Sequence, residues 1–304
     1  MNGMEGIHRS RARWTRRCES VRAPRAAVAL SAFAVLTAVA TLGCADKGKV
    51  SEKEAGANVL ALLAIANADV SEIERGLPLG AAKLSPLWAR GADPRQDLHA
   101  VRSALARMRR DVPDLTVAKS TFFAIADAQG IAIRNDLEED AMAGLNLLKL
   151  FPDLAKAESG SYVATSGAFP GPALPSGPDK DWIAATPIKK DDGSVGGILL
   201  TGWTFRRFAY HLEEQLRHDL EQKQQNQKLP VLYVMLFDEI GAYGAPQTPK
   251  VNEQAIANLN PVKATANGVA EGTMTITDRE FGWVAERVPK LGGSIGIAVL
   301  RSEL

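Results

Sequence analysis

The sequence predicts an α+β protein in which a helical region precedes two similar antiparallel sheets. The apolar residues recur at helical spacing before Pro113 and alternate along the chain after it. A repeat is also present, because "FFAIADAQGIAIRND" (122–136) and "VLYVMLFDEIGAYGA" (231–245) place Asp and Gly at one spacing between apolar runs. A charged, helix-like stretch (205–228) separates the copies, so we predict two sheets joined by a helix.

The N-terminus is typical of an export signal. An Arg-rich stretch precedes the uncharged run "AAVALSAFAVLTAVATL" (26–42), and Gly43 and Cys44 follow it. A small residue before Cys resembles the bacterial lipoprotein signal, and this resemblance implies that Cys44 is acylated, as by palmitate, and becomes the new N-terminus. An uncleaved anchor helix is the alternative. Both interpretations place the chain after Cys44 outside the cytoplasm, in the cell envelope or periplasm, and anchor it to a membrane.

Charge and cysteine content exclude two classes of protein. Residues 1–43 contain seven of the 36 basic residues but only two of the 35 acidic ones, so the remainder is net acidic. Because nucleic-acid binders keep a basic surface in their folded part, we expect no nucleic-acid partner. Cys18 and Cys44 are the two cysteines. The exported part therefore is no disulfide-stapled domain and needs a hydrophobic core.

The helical region is expected to contain two helices. Ser51 and Glu54 have the spacing of a capping box, and "GLPLG" (76–80) is expected to end the first helix. Asp93 before Pro94 predicts the start of the second helix. Its apolar positions lie on a narrow seam, which permits a dimer: Leu98, Val101, Leu105 and Met108.

The first sheet is predicted from two hairpins and a strand between them. Residues 121–126 and 131–134 form the first hairpin around Asp127 and Gly130, and 182–203 forms the second. Between them, 161–166 is a strand. The segment 167–180 is rich in Pro and Gly and is either a lid or a plain surface loop.

The helix after this sheet is predicted to be amphipathic. Its apolar face begins at Phe205, and elsewhere on the helix we expect Glu213 and Arg217 to form an exposed i,i+4 ion pair. Its possible metal ligands share one arc of a helix, where we expect a solvated face and no metal: His211, Glu214 and His218. In the second sheet, we align Trp283 with Trp182 of the first.

An antiparallel sheet whose elements follow one another as hairpin, helix, strand, long loop and hairpin is typical of PAS-like domains. With a long helix before it in an exported chain, "ADAQGIAIRND" (126–136) and "WIAATPIKKDDGSVGGILLTG" (182–202) resemble the Cache superfamily of extracytoplasmic sensor domains. The resemblance implies a double-Cache-like fold. The predicted boundaries are a signal peptide (1–43), a tether (44–54), a helical stalk (55–112), a first unit (113–204), a connecting helix (205–229) and a second unit (230–304).

The same resemblance implies a ligand pocket in the first unit. Arg134 ends a strand, where it forms either a surface ion pair or a bidentate contact with a ligand carboxylate. Trp182 and Trp203 are either core residues or pocket walls, and Tyr162 is a similar candidate. We expect no cofactor.

The sequence contains none of the motifs G-x-x-x-x-G-K-[ST], H-E-x-x-H or C-x-x-C. We therefore expect a non-enzymatic, lipid-tethered, extracytoplasmic sensor of a small molecule, without its own output domain, that takes part in signal transduction through an envelope signalling protein. An alternative is a structural or interaction lipoprotein that docks to an envelope kinase or chemoreceptor and binds no small ligand.

Overall fold

The computed structural model describes residues 46–171, 179–223 and 228–304. The predicted signal peptide, the proposed lipid site Cys44 and half of the Pro-rich loop (172–178 of 167–180) lie outside the described residues. Eight α-helices lie within the described ranges: α1 (Lys47–Leu84), α2 (Leu98–Asp111), α3 (Pro113–Val117), α4 (Leu147–Leu150), α5 (Ala155–Glu158), α6 (Phe205–Lys223), α7 (Lys250–Asn258) and α8 (Pro261–Ala264).

The strands form two five-stranded antiparallel sheets of the same topology. The first has the order β2-β1-β5-β4-β3 and the second the order β7-β6-β10-β9-β8. The bounds in the first sheet are β1 (Phe122–Asp127), β2 (Ala132–Asn135), β3 (Val163–Gly167), β4 (Asp181–Lys189) and β5 (Val195–Thr204). Those in the second are β6 (Val231–Phe237), β7 (Ala242–Gly244), β8 (Ala270–Ile276), β9 (Arg279–Arg287) and β10 (Gly296–Ser302). The fold is therefore α+β with a tandem duplication, as predicted.

The Asp-x-x-Gly repeat has the same function in both sheets. Asp127 accepts hydrogen bonds from the backbone N–H groups of Gln129 and Ile131 through Oδ1, at 3.0 and 2.9 Å. Asp238 likewise accepts from Ile240 and Gly241, at 2.8 and 3.1 Å. A short acceptor side chain that closes its own turn explains why Asp stands at this point in each copy.

Helix α1 packs along both sheets. It contacts β4 and β5 of the first sheet and β8, β9 and β10 of the second, and its apolar side chains join one continuous core. Length and composition alone would let this segment cross a membrane. Its packing against the sheets is that of a core helix.

The ends of α1 differ from the predicted ones. The helix begins at Lys47, within the segment predicted as a tether, because the Asp46 side chain caps it and Gly48 packs against the second sheet. It also continues through Pro78 to Leu84. Gly76 and Gly80 there lie against Leu115 and other side chains, so tertiary packing offsets the local cost of the proline.

The seam of α2 is largely buried within the chain. Val101, Leu105 and Met108 are almost fully buried in the core that contains α1, whereas Leu98 is 44% exposed. The seam therefore packs this helix onto its own chain.

The predicted match between Trp182 and Trp283 is wrong by one residue. Trp182 lies on the sheet face covered by α1, whereas Trp283 belongs to the core on the opposite face of the second sheet. A shift by one residue moves a strand's side chains to the other face. Aligning the faces puts Gly282 in the place of Trp182, and there a Cβ atom would lie 1.9 Å from the backbone nitrogen of Glu52 in α1.

Candidate functional site

A cleft of about 700 Å³ lies between one face of α6 and the segment 116–121 that leads from α3 into β1. We call it the α6 cleft. Its volume is in the range of small-molecule binding sites. It is lined by Arg109, Thr116, Val117, Ala118, Lys119, Ser120, Thr121, Trp203, Arg207, Phe208, Tyr210, His211 and Glu214.

Aromatic stacking forms one wall of the α6 cleft. Trp182 of β4 and Trp203 of β5 are paired across the strands, and their rings stack with centroids 4.3 Å apart. Phe208 of α6 stacks on the other face of Trp203 at 4.4 Å. Because Trp203 is held between two aromatic rings, its indole is fixed in position.

Two buried polar atoms in this wall have no partner within the described part of the chain. They are the Nε1–H of Trp203, a residue with no exposed surface, and the hydroxyl of Ser120, which is 8% exposed. By contrast, Trp182 donates from Nε1 to the carbonyl of Leu291 at 3.1 Å. An unpaired buried donor costs about 1–3 kcal/mol, so a ligand oxygen that accepted from Trp203 would recover that free energy.

The charge of the α6 cleft is mainly positive. Arg109, Lys119 and Arg207 face one carboxylate, Glu214. Arg109 lies 3.5 Å from Asp136 and over the ring of Phe123, at 5.2 Å from its centroid. Neither Lys119 nor Arg207 forms an ion pair with a residue that the structure describes. The α6 cleft therefore favours an anion electrostatically.

The arc of α6 that contains His211, Glu214 and His218 was predicted to face solvent, but it is only partly exposed. The Nε2 of His211 lies 3.1 Å from the Asp69 carboxylate of α1, and the His211 side chain is 19% exposed. His218 instead contacts Gln222 at 2.7 Å. The described residues contain no group of three or more His, Cys, Asp or Glu side chains arranged to hold a metal ion.

Only Trp182 and Trp203, among the four predicted ligand contacts, lie together. Arg134 is 13% exposed and forms an ion pair with Asp140 at 3.1 Å. It also donates to the carbonyls of Leu137 and Glu138, so its guanidinium orders the loop after β2.

Tyr162 lines a different groove, of about 430 Å³, between the end of α1 and β4. Its hydroxyl is buried and has no partner in the described part of the chain. Burial, together with the charge of Glu74, raises the pKa of the phenol well above its usual value. The ligand-binding role of all four residues remains a prediction.

The opposite side of α6 is tied to the second unit by buried charges. Arg206 forms a buried ion pair with Glu253 of α7 and donates to the carbonyl of Gly244. Burial opposes the charge of Glu253, but hydrogen bonds from Arg206 and Lys250 outweigh burial and lower its pKa. One helix thus contacts both the α6 cleft and the second sheet.

The pair Glu213 and Arg217, predicted to be exposed, is another of these ties. Glu213 is 1% exposed, accepts from both Arg217 and the backbone N–H of Val234, and so joins α6 to β6. Arg217 also donates to the carbonyl of Leu232 at 2.8 Å. The i,i+4 spacing was correct, but the exposure was wrong because β6 covers this face of α6.

Four residues that line the α6 cleft are not among those predicted from the sequence: Arg109, Lys119, Ser120 and Arg207. The available signal was "FRRF" (205–208), in which two arginines lie between aromatic residues at the start of a helix. The approach of 116–121 to this helix is a tertiary contact that no local pattern records.

No protein-family model matches the sequence. No curated protein matches it either.

Solved structures do match the fold. The ligand-binding domain of the Campylobacter jejuni chemoreceptor Tlp3, in complex with L-norvaline, is 11% identical and superimposes with a TM-score of 0.52 over 86% of this chain and 94% of that one. The extracellular domain of the putative histidine kinase rpHK1S-Z16 is 14% identical, with a TM-score of 0.50 over 86% of this chain and 97% of that one.

An extracellular ligand binding receptor from Desulfohalobium retbaense matches 82% of this chain at 14% identity and a TM-score of 0.49, but this match spans only 40% of the receptor chain. At these identities the likeness concerns architecture. The long helix, the two sheets of one topology and the superpositions on the Tlp3 and histidine kinase domains together show that the chain has a double-Cache-like fold.

Proposed function

We propose that this chain is an extracytoplasmic small-molecule sensor, tethered to a membrane by lipid at Cys44. The fold is that of extracellular sensor domains, one of which was solved with L-norvaline bound. The export signal and the small residue before Cys44 support the location and the anchor. The predicted boundaries of the units, 113–204 and 230–304, remain part of this proposal, and it involves no catalytic turnover.

The main structural support for this proposal is the α6 cleft. It combines a fixed aromatic wall, two unpartnered buried polar groups and an excess of cations. A carboxylate suits this set, because its oxygens accept from the indole of Trp203 and the hydroxyl of Ser120 while its charge is neutralised by Arg207. An amino acid or other small organic acid meets these requirements.

Helix α6 supplies the output in this proposal. A ligand that contacts Trp203 and Arg207 would shift α6, and the pairs formed by Arg206 and Glu213 on its other side would pass the shift to the second sheet. A partner in the cell envelope would detect that change. The shift requires a ligand that binds the two positions of α6 with different affinity.

A thermal-shift screen of small carboxylates against the purified full chain tests this function. We expect at least one amino acid or organic acid to raise the Tm. Trp203→Phe keeps an aromatic ring but removes the N–H donor together with part of the indole, and Arg207→Gln loses the charge; each should reduce the Tm shift. Arg134→Ala tests the site predicted from sequence and should leave the shift unchanged. If no carboxylate stabilises the chain, the sensor function is contradicted.

A separate observation supports the alternative function, that of a lipoprotein that docks to a partner protein and binds no small ligand. The face of the first sheet opposite α1 is filled by its own apolar side chains, including Phe122, Phe151 and Ile183. In that alternative the units bind a partner protein through their surfaces. A chain that no small molecule stabilises, but that still fractionates with membranes through Cys44, would favour it.

A further inference from the structure

A second cleft lies in the second unit, on the sheet face that α1 does not cover. It has a volume of about 350 Å³ and lies between β6, the start of α7 and the turn that joins β8 to β9. We call it the α7 groove. It shares no lining residue with the α6 cleft.

The α7 groove has an aromatic side. Tyr233 of β6 and Phe281 of β9 lie with their ring centroids 6.3 Å apart and their planes tilted by 47°. Val231 and Ile276 extend the apolar wall. Such a wall accepts a flat ring, because aromatic rings pack edge to face at these separations.

The other side of the α7 groove is polar and contains an unsatisfied amide. Asn252 lines the groove and is 3% exposed, yet its side chain makes no hydrogen bond to any residue that the structure describes. Buried amides are normally hydrogen-bonded, and each carries both donors and an acceptor. The side chain of Asn252 is therefore available to a group in the groove.

Positive charge lies beside this amide. Helix α7 begins after Pro249, which provides no side-chain cap. The backbone N–H groups of Asn252 and Glu253 donate to the carbonyl of Pro249, but the dipole of the helix still favours an anion at this end. Arg279 lines the groove as well, and it forms no ion pair within the described ranges. Together these groups favour a carboxylate at the polar side.

The turn that carries Arg279 has an unusual backbone. Thr277 and Asp278 both adopt positive φ, at 46° and 63°, although neither is glycine. A two-residue hairpin turn of this kind usually contains Asn-Gly, and a β-branched residue at positive φ is strained. Such strain concentrates at functional sites, and this turn borders the groove.

We propose that the α7 groove binds an aromatic carboxylate, with its ring against Tyr233 and Phe281 and its carboxylate at Asn252, Arg279 and the start of α7. This site is separate from the α6 cleft and does not depend on the function proposed there. The chain would then hold two ligand sites, one in each unit.

Phenylacetate is the probe, and isothermal titration of the purified full chain is the measurement. Phenylacetamide has the ring without the charge, and acetate has the charge without the ring. We expect phenylacetate to bind at least tenfold more tightly than either compound. Equal affinity for phenylacetate and phenylacetamide, or an absence of phenylacetate binding, would overturn the proposal.

Variants locate the site. Arg279→Gln changes an exposed residue, so the fold is retained, and we expect phenylacetate affinity to fall about fivefold to tenfold. Asn252→Leu replaces the amide with an apolar group of similar size and should have a similar effect. Arg207→Gln, in the α6 cleft, is the matched control and should leave phenylacetate affinity unchanged. If Arg207→Gln weakens binding and Arg279→Gln does not, phenylacetate binds in the α6 cleft and the α7 groove proposal is wrong.

Discussion

The first and second sheets have one strand order but meet α1 in different ways. Where the first sheet presents Trp182 toward the helices, the second presents Gly282. The bulky residue joins an aromatic stack that reaches Phe208 of α6, whereas the glycine lets the N-terminal part of α1 lie directly on β9. The duplicated plan thus leaves room for a cleft beside the first sheet and holds the second sheet tightly to the helix.

The opposite faces differ as well. Asp181 is buried at the start of β4, and the aligned position in β9 is occupied by the apolar Phe281. The first unit therefore contains a titratable group where the second contains an aromatic ring that lines the α7 groove.

The largest effect should come from removal of the stacked indole. Trp182→Ala is expected to lower the free energy of unfolding by about 3–5 kcal/mol, because it leaves a cavity and an unpaired carbonyl at Leu291. Trp283→Ala should cost about 1–2 kcal/mol less, since Trp283 is 9% exposed and its indole donates no hydrogen bond within the described part of the chain. Urea unfolding followed by circular dichroism measures both variants. Equal losses of unfolding free energy would show that Trp182 and Trp283 stabilise the chain to the same extent, which would contradict the difference described between the two sheets.

The close approach of α1 gives the next prediction. Gly282→Ala is expected to destabilise the chain by about 2–3 kcal/mol, because the added methyl group would meet the backbone of Ser51 and Glu52. Gly241→Ala is the matched control, as its Cβ would meet nothing within 4 Å. Urea midpoints compare the two. A loss from Gly282→Ala no larger than that from Gly241→Ala would contradict the tight contact.

The third prediction concerns the hydrogen bonds of Glu213 that join α6 to the second sheet. Glu213→Gln is expected to cost about 2 kcal/mol, because Val234 and Arg217 lose a charged acceptor. The neighbouring Glu214→Gln changes an exposed carboxylate and should alter stability by less than about 0.5 kcal/mol. Thermal unfolding of the two variants separates these outcomes. Similar Tm values would show that Glu213 does not stabilise the contact between α6 and β6.

Asp181 gives the smallest effect, a dependence of stability on pH. Burial raises its pKa to about 6, above the value of about 3.9 for an unfolded Asp. Between these values the native state binds more protons than the unfolded state, so stability falls as the pH rises. We expect a decrease on the order of 1–2 kcal/mol between pH 4 and pH 7 from this group. Asp181→Asn should remove that component; an unchanged pH profile would show that Asp181 is not its source.

Local patterns predicted the sheets well, because each hairpin is encoded by alternation and a short acceptor side chain. Asp127 and Asp238 mark both first turns, and the closing hairpins follow from their own turn residues. The Trp182 and Trp283 alignment failed because loop length differs between the copies, and a shift of one residue exchanges the faces of a strand.

The candidate site was less predictable for a physical reason. Trp203 was identified, but the α6 cleft also needs the segment 116–121 to approach α6, and the sequence gives no local signal for that contact. Similarly, Arg134 has the chemistry of a carboxylate ligand, but Asp140 and two carbonyls in the following loop already occupy its guanidinium.

The central claim is that the α6 cleft binds a small anion. A crystal structure of the full chain, soaked with the carboxylate that gives the largest thermal shift, tests it most directly. We predict ligand density in the α6 cleft, with an oxygen about 3 Å from Nε1 of Trp203. Density at another site in the first unit, with the α6 cleft filled only by water, would contradict the claim.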